Sequence, residues 1–284
     1  MQFSEDLFLQ NLSLWLDEDV GEGDFSSLAS INSNSIGHST MLLKANGVIA
    51  GVRIAQMVLN YVDSSLMFHP FVKDGEYCEN GRVLAEASGS IQSLLKAERL
   101  MLNLIQHLSG IASQTKEFVD AVKGTKCKIL DTRKTTPGLR DLEKWAVFTG
   151  GGENHRMGLY DMIMLKDNHI DSAGGITAAV NRTREFLKTN NKDLRIEVET
   201  RNMAEVKEAL GLKVDRIMLD NFSPEGCRVA CALIKDKVET EASGGINIQN
   251  VKEYAYSGVN YISVGALTHS VNALDISFKT KLKA

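Results

Sequence analysis

From Lys126 onward, short apolar runs each end in a polar or glycine residue, and a helical stretch usually follows. The runs are Cys127–Leu130 before Asp131-Thr132-Arg133, Met162–Leu165 before Lys166, and Leu194–Val198 before Glu199. Arg216–Leu219 then precedes Asp220, Val238–Ala242 precedes Ser243-Gly244-Gly245, and Tyr261–Val264 precedes Gly265. Repeated βα units of this size imply parallel strands joined by right-handed crossovers. At least six such strands favour closure into a TIM-like α/β barrel over an open sheet, and too few are visible for eightfold closure, so an incomplete barrel is expected. Residues just past the strand ends of such a barrel gather at one mouth. Arg133, Lys134, Lys166, Glu199, Asp220, Ser243 and Gly265 are therefore expected to face one cavity.

The first hundred residues read differently. STMLLKANGVIAG, residues 39–51, predicts two short strands split by the turn pair Asn46-Gly47. Leu66–Val72 and Arg82–Ala87 predict two more, with a helix over Val52–Tyr61. A longer helix is expected from Ser93 to Leu108, stopped by Ser109-Gly110. Leu94, Ala97, Met101, Leu104 and Leu108 form its apolar stripe, while Lys96, Arg99, Asn103 and Gln106 form a polar one that faces water or lines a site. Asn272–Lys283 has helical spacing and is expected to pack back on this region. The expected division is an N-terminal α/β domain, 1–112, joined by the segment 271–284, and a barrel domain, 113–270.

Composition narrows the possibilities. Hydrophobic residues at 43% and charged residues at 24% are ordinary for a soluble globular chain. A net charge of -4 gives the whole surface no electrostatic case for nucleic acid or an anionic membrane, so any anion must be caught by a local cluster. No apolar run approaches the ~20 residues that span a bilayer. The acidic N-terminus lacks the regions of a secretion signal. Cys78, Cys127, Cys227 and Cys231 form no C-x-x-C pair and no disulfide framework, which fits a reducing cytoplasm.

Asp131–Ile170 concentrates the chemistry. Arg133, Lys134, His155, Arg156 and Lys166 lie among Thr, Gly and Asn, as a site for a small polyanion requires. Gly150-Gly151-Gly152 would let the backbone approach a ligand closely. The alternative is surface pairing with Asp141, Glu143 or Glu153, the reading adopted for Arg140 and Lys144. Glu199 and Asp220, at successive strand ends, would repel unless a cation or a polyhydroxyl ligand sits between them. Mg²⁺ carried by a pyrophosphate fits, as do ribose hydroxyls or rim salt bridges to Lys166 or Arg201. Glu197 shares a strand face with Glu199, and which of them leads stays open. EASGGI and SVGALTHS supply glycine turns in the last two βα positions, where such barrels often hold phosphate. His38, His69 and His107 read as structural or exposed, and His169 and His269 as orienting neighbours or contacting ligand.

These segments resemble the quinolinate phosphoribosyltransferases over nearly the whole chain. LDEDVGEGDFSS, AERLMLNLIQHLSGIAS, DTRKTTPGLRDLEKWAV and GGGENHRMGLYDMIMLKDNHI occur in the family's order, followed by EVET, LDNF, EASGGI and SVGALTHS. The resemblance implies an N-terminal α/β sandwich with an incomplete α/β barrel. It implies transfer from phosphoribosyl pyrophosphate to quinolinate with decarboxylation, giving nicotinate mononucleotide, pyrophosphate and CO₂, with Mg²⁺. It also implies a homodimer in which Arg99 is donated to the neighbouring site. By the same resemblance Thr132, Arg133, Lys134, His155, Arg156 and Lys166 bind quinolinate and the phosphoribosyl group. Glu199 and Asp220 serve metal and ribose, and Ser243, Gly244, Gly245, Val264, Gly265 and Ala266 bind phosphate. Lys134, Lys166, Glu199 and Asp220 fall at the reacting centre. A rival chemistry, a Schiff base on Lys166, is disfavoured by the crowding of Arg and His around it.

Overall fold

The structure, a computed structural model, describes residues 2–282. The chain forms two compact units, one of residues up to Lys116 with Asp141–Gly151 and the segment from Ser270, the other of Glu117–Arg140 with Gly152–His269. This differs from the division at 112/113 chiefly in that Asp141–Gly151 clusters with the first unit.

In the first unit, Ser4 caps α1 (Glu5–Val20) by accepting from Leu7 N–H, and Asp24 caps α2 (Phe25–Ser30) by accepting from Ser27 N–H. β1 (Ile36–Leu43) does not pair with β2 (Gly47–Val48); Asn46-Gly47 separates strands of two different sheets. α3 (Val52–Val62) starts against Asp74, whose carboxylate accepts from Gly51 N and Val52 N at 2.6 and 2.9 Å and so satisfies two end donors. β3 (Met67–Pro70), β4 (Tyr77–Cys78) and β5 (Val83–Ser90) follow. β4 pairs with β2, and β5 lies between β1 and β3 in an antiparallel sheet.

α4 (Ile91–Ala121) overturns the stop expected at Ser109-Gly110. Gly110 is there for close approach: a Cβ would collide with the backbone of Asn272. Ser109 turns its hydroxyl outward from the helix, accepting from Ala50 N at 2.9 Å and donating to Ala50 O at 3.1 Å. Both residues serve packing partners, so neither ends the helix.

The second unit opens with β6 (Lys128–Leu130). α5 (Arg140–Thr149) belongs to the first unit from Asp141 onward and is nearly enclosed, with Leu142 through Val147 all buried. Lys144 is therefore buried, contrary to the surface position expected. Then come β7 (Ile163–Leu165), α6 (Asp167–Ala173), α7 (Ile176–Thr189), β8 (Ile196–Thr200) and α8 (Met203–Gly211). β9 (Arg216–Asp220), α9 (Pro224–Ile234), β10 (Glu239–Ser243), α10 (Val251–Tyr256), β11 (Tyr261–Ser263) and α11 (Ala266–His269) complete it. The six strands are parallel, in the order β6, β11, β10, β9, β8, β7. β6 and β7 stand at opposite ends of that order, and Leu130 instead bridges to Glu153. This is the incomplete α/β barrel.

The C-terminal segment is the strand β12 (Ile276–Leu282), not the helix expected over 272–283, whose last residue lies outside the described ones. Ile276 and Phe278 are buried while Lys279 and Lys281 are exposed, a period of two. β12 pairs antiparallel with β1, and Ser39 and Thr280 hydroxyls meet at 2.7 Å across the pair.

Candidate active site

Asp131, at the end of β6, is fully buried and organises the segment across from it. Its carboxylate accepts from the Asn154 amide and from His155 N, the latter at 2.8 Å. That holds Asn154-His155-Arg156 beside Thr132, Arg133 and Lys134. Thr132 Oγ1 accepts from Lys134 N at 3.0 Å, and Lys134 O accepts from Thr268 Oγ1 at 2.8 Å, tying the β6 loop to the segment after β11. Gly265 leaves room for this: a Cβ there would press on the Lys134 and His269 side chains at 3.1 Å.

Two guanidiniums face the same space. Arg156 is 9% exposed, and its pKa is lowered first by burial and then by the charge of Arg133. Arg133 is half-buried, and its Nε meets no hydrogen-bond partner among the described residues. Arg156 spends one N–H on Met162 O at 3.2 Å. Two like charges held together in a partly desolvated place call for an anion with more than one negative charge. Arg140, expected to pair with acids, donates to Thr135 Oγ1 at 3.1 Å and Met157 O at 3.2 Å and braces the two loops that carry this patch. Glu153 pairs with Lys128 at 2.6 Å.

Glu199 and Asp220 stand at the ends of β8 and β9. Glu199 is 8% exposed and lies 3.6 Å from Lys166 Nζ. Its pKa is raised first by burial, lowered by Lys166 and raised again by neighbouring Asp220. The two carboxylates and the lysine thus share one place. His169 Nδ1 accepts from Lys166 N at 3.0 Å, which makes His169 an orienting residue. Arg201 pairs with Asp171 and Glu205, leaving Glu199 to Lys166.

One layer deeper, β8, β9 and β10 point charged groups inward. Glu197, left open against Glu199, lies in this layer and not at the mouth: its Oε2 is 3.0 Å from His155 Nε2 and it is fully buried. Glu241 Oε2 lies 3.5 Å from His155 Nε2 and accepts from Arg216 at 2.9 Å. Arg216 also pairs with Glu239 at 3.2 Å and lies over the Tyr261 ring, 4.1 Å from its centroid. Burial pushes both Glu197 and Glu241 carboxyls up, and the charge of Glu197 raises Glu241 further. One proton shared by the adjacent pair would relieve the repulsion between them.

His155, Glu197 and Glu241 bring one donor atom each within 4.8 Å of one another, a spacing that suits a metal ion. The histidine tautomer argues otherwise. His155 Nδ1 accepts from Arg156 N at 2.8 Å, so Nε2 carries the hydrogen that faces the two carboxyls. A protonated nitrogen is no ligand.

The glycine signals divide. Gly244 has φ +98 and Gly245 φ +62, so the turn after β10 needs glycine. Gly150, expected to approach a ligand, instead packs against α4, where a Cβ would collide with Ala112 O. Val264 is buried and its N–H donates to Leu130 O at 2.9 Å, so that group is already used within the sheet. Gly265 and Ala266 are half-buried at the start of α11. Asp131, Arg216 and Glu241 were not singled out from the sequence. Their signal was faint: Arg216 and Glu241 are charged residues within strands, and Asp131 directly follows β6.

An α/β barrel with buried arginines, a lysine beside two carboxylates, and glycine turns after its last strands is the architecture of an enzyme acting on anionic substrates. Residues 24–109 match the quinolinate phosphoribosyl transferase N-terminal domain and residues 111–279 its C-terminal domain. The chain is 45% identical to the chloroplastic nicotinate-nucleotide pyrophosphorylase [carboxylating] of Arabidopsis thaliana, over 94% of this chain and 81% of the relative. It is 43% identical to a probable nicotinate-nucleotide pyrophosphorylase [carboxylating] of Bacillus subtilis, over 93% of this chain and 90% of the relative. The crystal structure of NadC from Streptococcus pyogenes superposes with a TM-score of 0.95 at 38% identity, covering 100% of both chains. The chain belongs to the quinolinate phosphoribosyltransferase family.

Proposed function

We propose that this chain joins quinolinate to the phosphoribosyl group of phosphoribosyl pyrophosphate and releases pyrophosphate and CO₂. The product, nicotinate mononucleotide, feeds NAD biosynthesis. The observation that carries the substrate is the Arg133–Arg156 pair, whose mutual repulsion in a desolvated place is relieved by a dianion. Quinolinate has two adjacent carboxylates, whereas nicotinate has one. Lys166 adds a third positive charge at the side of Glu199.

The ring nitrogen of quinolinate attacks ribose C1 as the bond to pyrophosphate breaks, a step governed by positioning and charge. The alkylated nitrogen then carries positive charge. The neighbouring C–CO₂ bond breaks with its electron pair left on the ring carbon, stabilised by that charge, and a proton replaces the lost group. Glu199 and Asp220 would hold Mg²⁺, since paired carboxylates of this kind suit a hard cation that keeps phosphate oxygens in its shell. Bound there, the ion supplies neutralisation of the departing pyrophosphate. The same carboxylates suit ribose hydroxyls, and the Ser243-Gly244-Gly245 and Gly265-Ala266 turns suit the 5′-phosphate. Arg99 is exposed on α4, and we propose that a homodimer donates it to the neighbouring subunit's site.

Calorimetric titration tests the substrate reading. Quinolinate is expected to bind the wild type and nicotinate to bind far more weakly. R133A and R156A should each lose about 10–100-fold in quinolinate affinity, the range for a charge-assisted pair. Equal affinity for both acids would refute the dianion pocket.

A further inference from the structure

Asn221 follows Asp220 directly and adopts a left-handed backbone, φ +56. Asparagine tolerates that region better than most residues, yet the position also constrains its side chain. Asn221 N donates to Ser243 O at 2.8 Å, joining the ends of β9 and β10. Its side-chain Nδ2 donates to Asp220 Oδ2 at 2.7 Å. The other end of the amide, Oδ1, lies so close to Gly244 that a Cβ on that glycine would collide with it. One planar amide therefore spans the Asp220 carboxylate on one side and the Gly244 turn on the other. Gly244 is barred from carrying a side chain by φ +98 and by this amide independently.

We infer that Asn221 is a positioning residue that sets the Asp220 carboxylate against the Ser243-Gly244-Gly245 turn, so that the phosphoribosyl half of the site is held as one piece. The inference rests on the functional reading above, because it takes Asp220 and the turn to receive phosphoribosyl pyrophosphate. The physical need is plain. A carboxylate at a strand end rotates freely about χ1 and χ2 unless a neighbour fixes it, and a fixed acceptor loses less entropy on binding. The amide contributes a donor without adding charge beside Glu199 and Asp220. A lysine there would neutralise the carboxylate, and a hydroxyl would not reach both partners.

The discriminating variant is N221G. Glycine keeps the left-handed backbone and the Asn221 N–H, and removes only the amide. Titration of Mg²⁺–phosphoribosyl pyrophosphate into N221G is expected to show about 10–100-fold weaker binding, the range for loss of an outer-shell hydrogen bond. Quinolinate affinity and the thermal midpoint should stay at the wild-type values. Wild-type affinity for phosphoribosyl pyrophosphate in N221G would overturn the inference and reduce Asn221 to a turn residue. If N221G folds poorly, N221D serves: it keeps size and backbone preference but replaces the donor with a second carboxylate. Phosphoribosyl pyrophosphate affinity in N221D should fall at least as far as in N221G, and an unchanged value would again overturn the role. Product formation by the wild type is scored separately. A wild type that binds phosphoribosyl pyrophosphate but makes no product would count against the function, while the same titrations still decide for or against Asn221.

Discussion

The inward-facing residues of β8, β9 and β10 are Glu197, Arg216 and Glu241 where a barrel of this kind ordinarily packs branched apolar side chains. This choice has a cost that pH can expose. Glu241 is fully buried beside Glu197, and its pKa stands above the ordinary 4.5. A raised value means that the native state holds the proton more tightly than the unfolded chain. The resulting stabilisation is complete below the ordinary value and disappears as pH rises through the raised one. E241Q mimics the protonated form: its carbonyl still accepts from Arg216, its amide donates to Glu197, and it does not titrate. Urea unfolding at about pH 5 and about pH 8 should show the wild type losing more stability than E241Q across that interval. Parallel losses would contradict the shared proton. At this scale the strand-end rule brought Arg133, Lys166, Glu199 and Asp220 into view, because each follows an apolar run. It could not reach Glu241, which interrupts its run, or Arg216, which opens one. Nor could it show that the Val264 N–H donates to Leu130 O, or that His155 Nδ1 accepts from Arg156 N.

Elements were legible where their pattern was local. The six barrel strands were each evident within a residue or two, since each is a short apolar run closed by a polar stop. α4 and β12 were not, and for one reason: their partners are far away in sequence. Ser109-Gly110 has the composition of a helix end, yet Gly110 lies against Asn272, more than a hundred residues on. β12 reads as helical by spacing, but the edge of β1 is available to it, and of its residues past Phe278 only Leu282 leaves a large apolar side chain exposed. G110A tests the packing reading of α4. Gly110 lies inside the helix and outside the left-handed region, so on helix propensity alone alanine would be harmless or stabilising. If the glycine admits a backbone, the added methyl should cost about 1–3 kcal/mol and lower the thermal midpoint by roughly 3–10 °C. An unchanged midpoint would contradict the packing account.

At the scale of the whole molecule, family membership explains the order of the motifs, and the proposed exchange of Arg99 between subunits would give a use to an exposed arginine on the polar stripe of α4. Two inactive variants test that exchange. R99A and R133A should each be nearly inactive alone, since one would lack the donated arginine and the other its own. Unfolded together and refolded, they should recover about a quarter of the wild-type rate, because half of the random dimers carry one intact site of two. No recovery would mean that Arg99 serves the site of its own chain or none. The central claim is the reaction itself. Purified protein would be mixed with phosphoribosyl pyrophosphate, Mg²⁺ and either quinolinate labelled in its 2-carboxylate or nicotinate, with nicotinate mononucleotide followed by mass spectrometry and labelled CO₂ trapped. Nicotinate mononucleotide and equimolar CO₂ from quinolinate, with no product from nicotinate, is the result predicted by a pocket of two arginines and a lysine. Product from nicotinate at a comparable rate, or none from quinolinate, would contradict it.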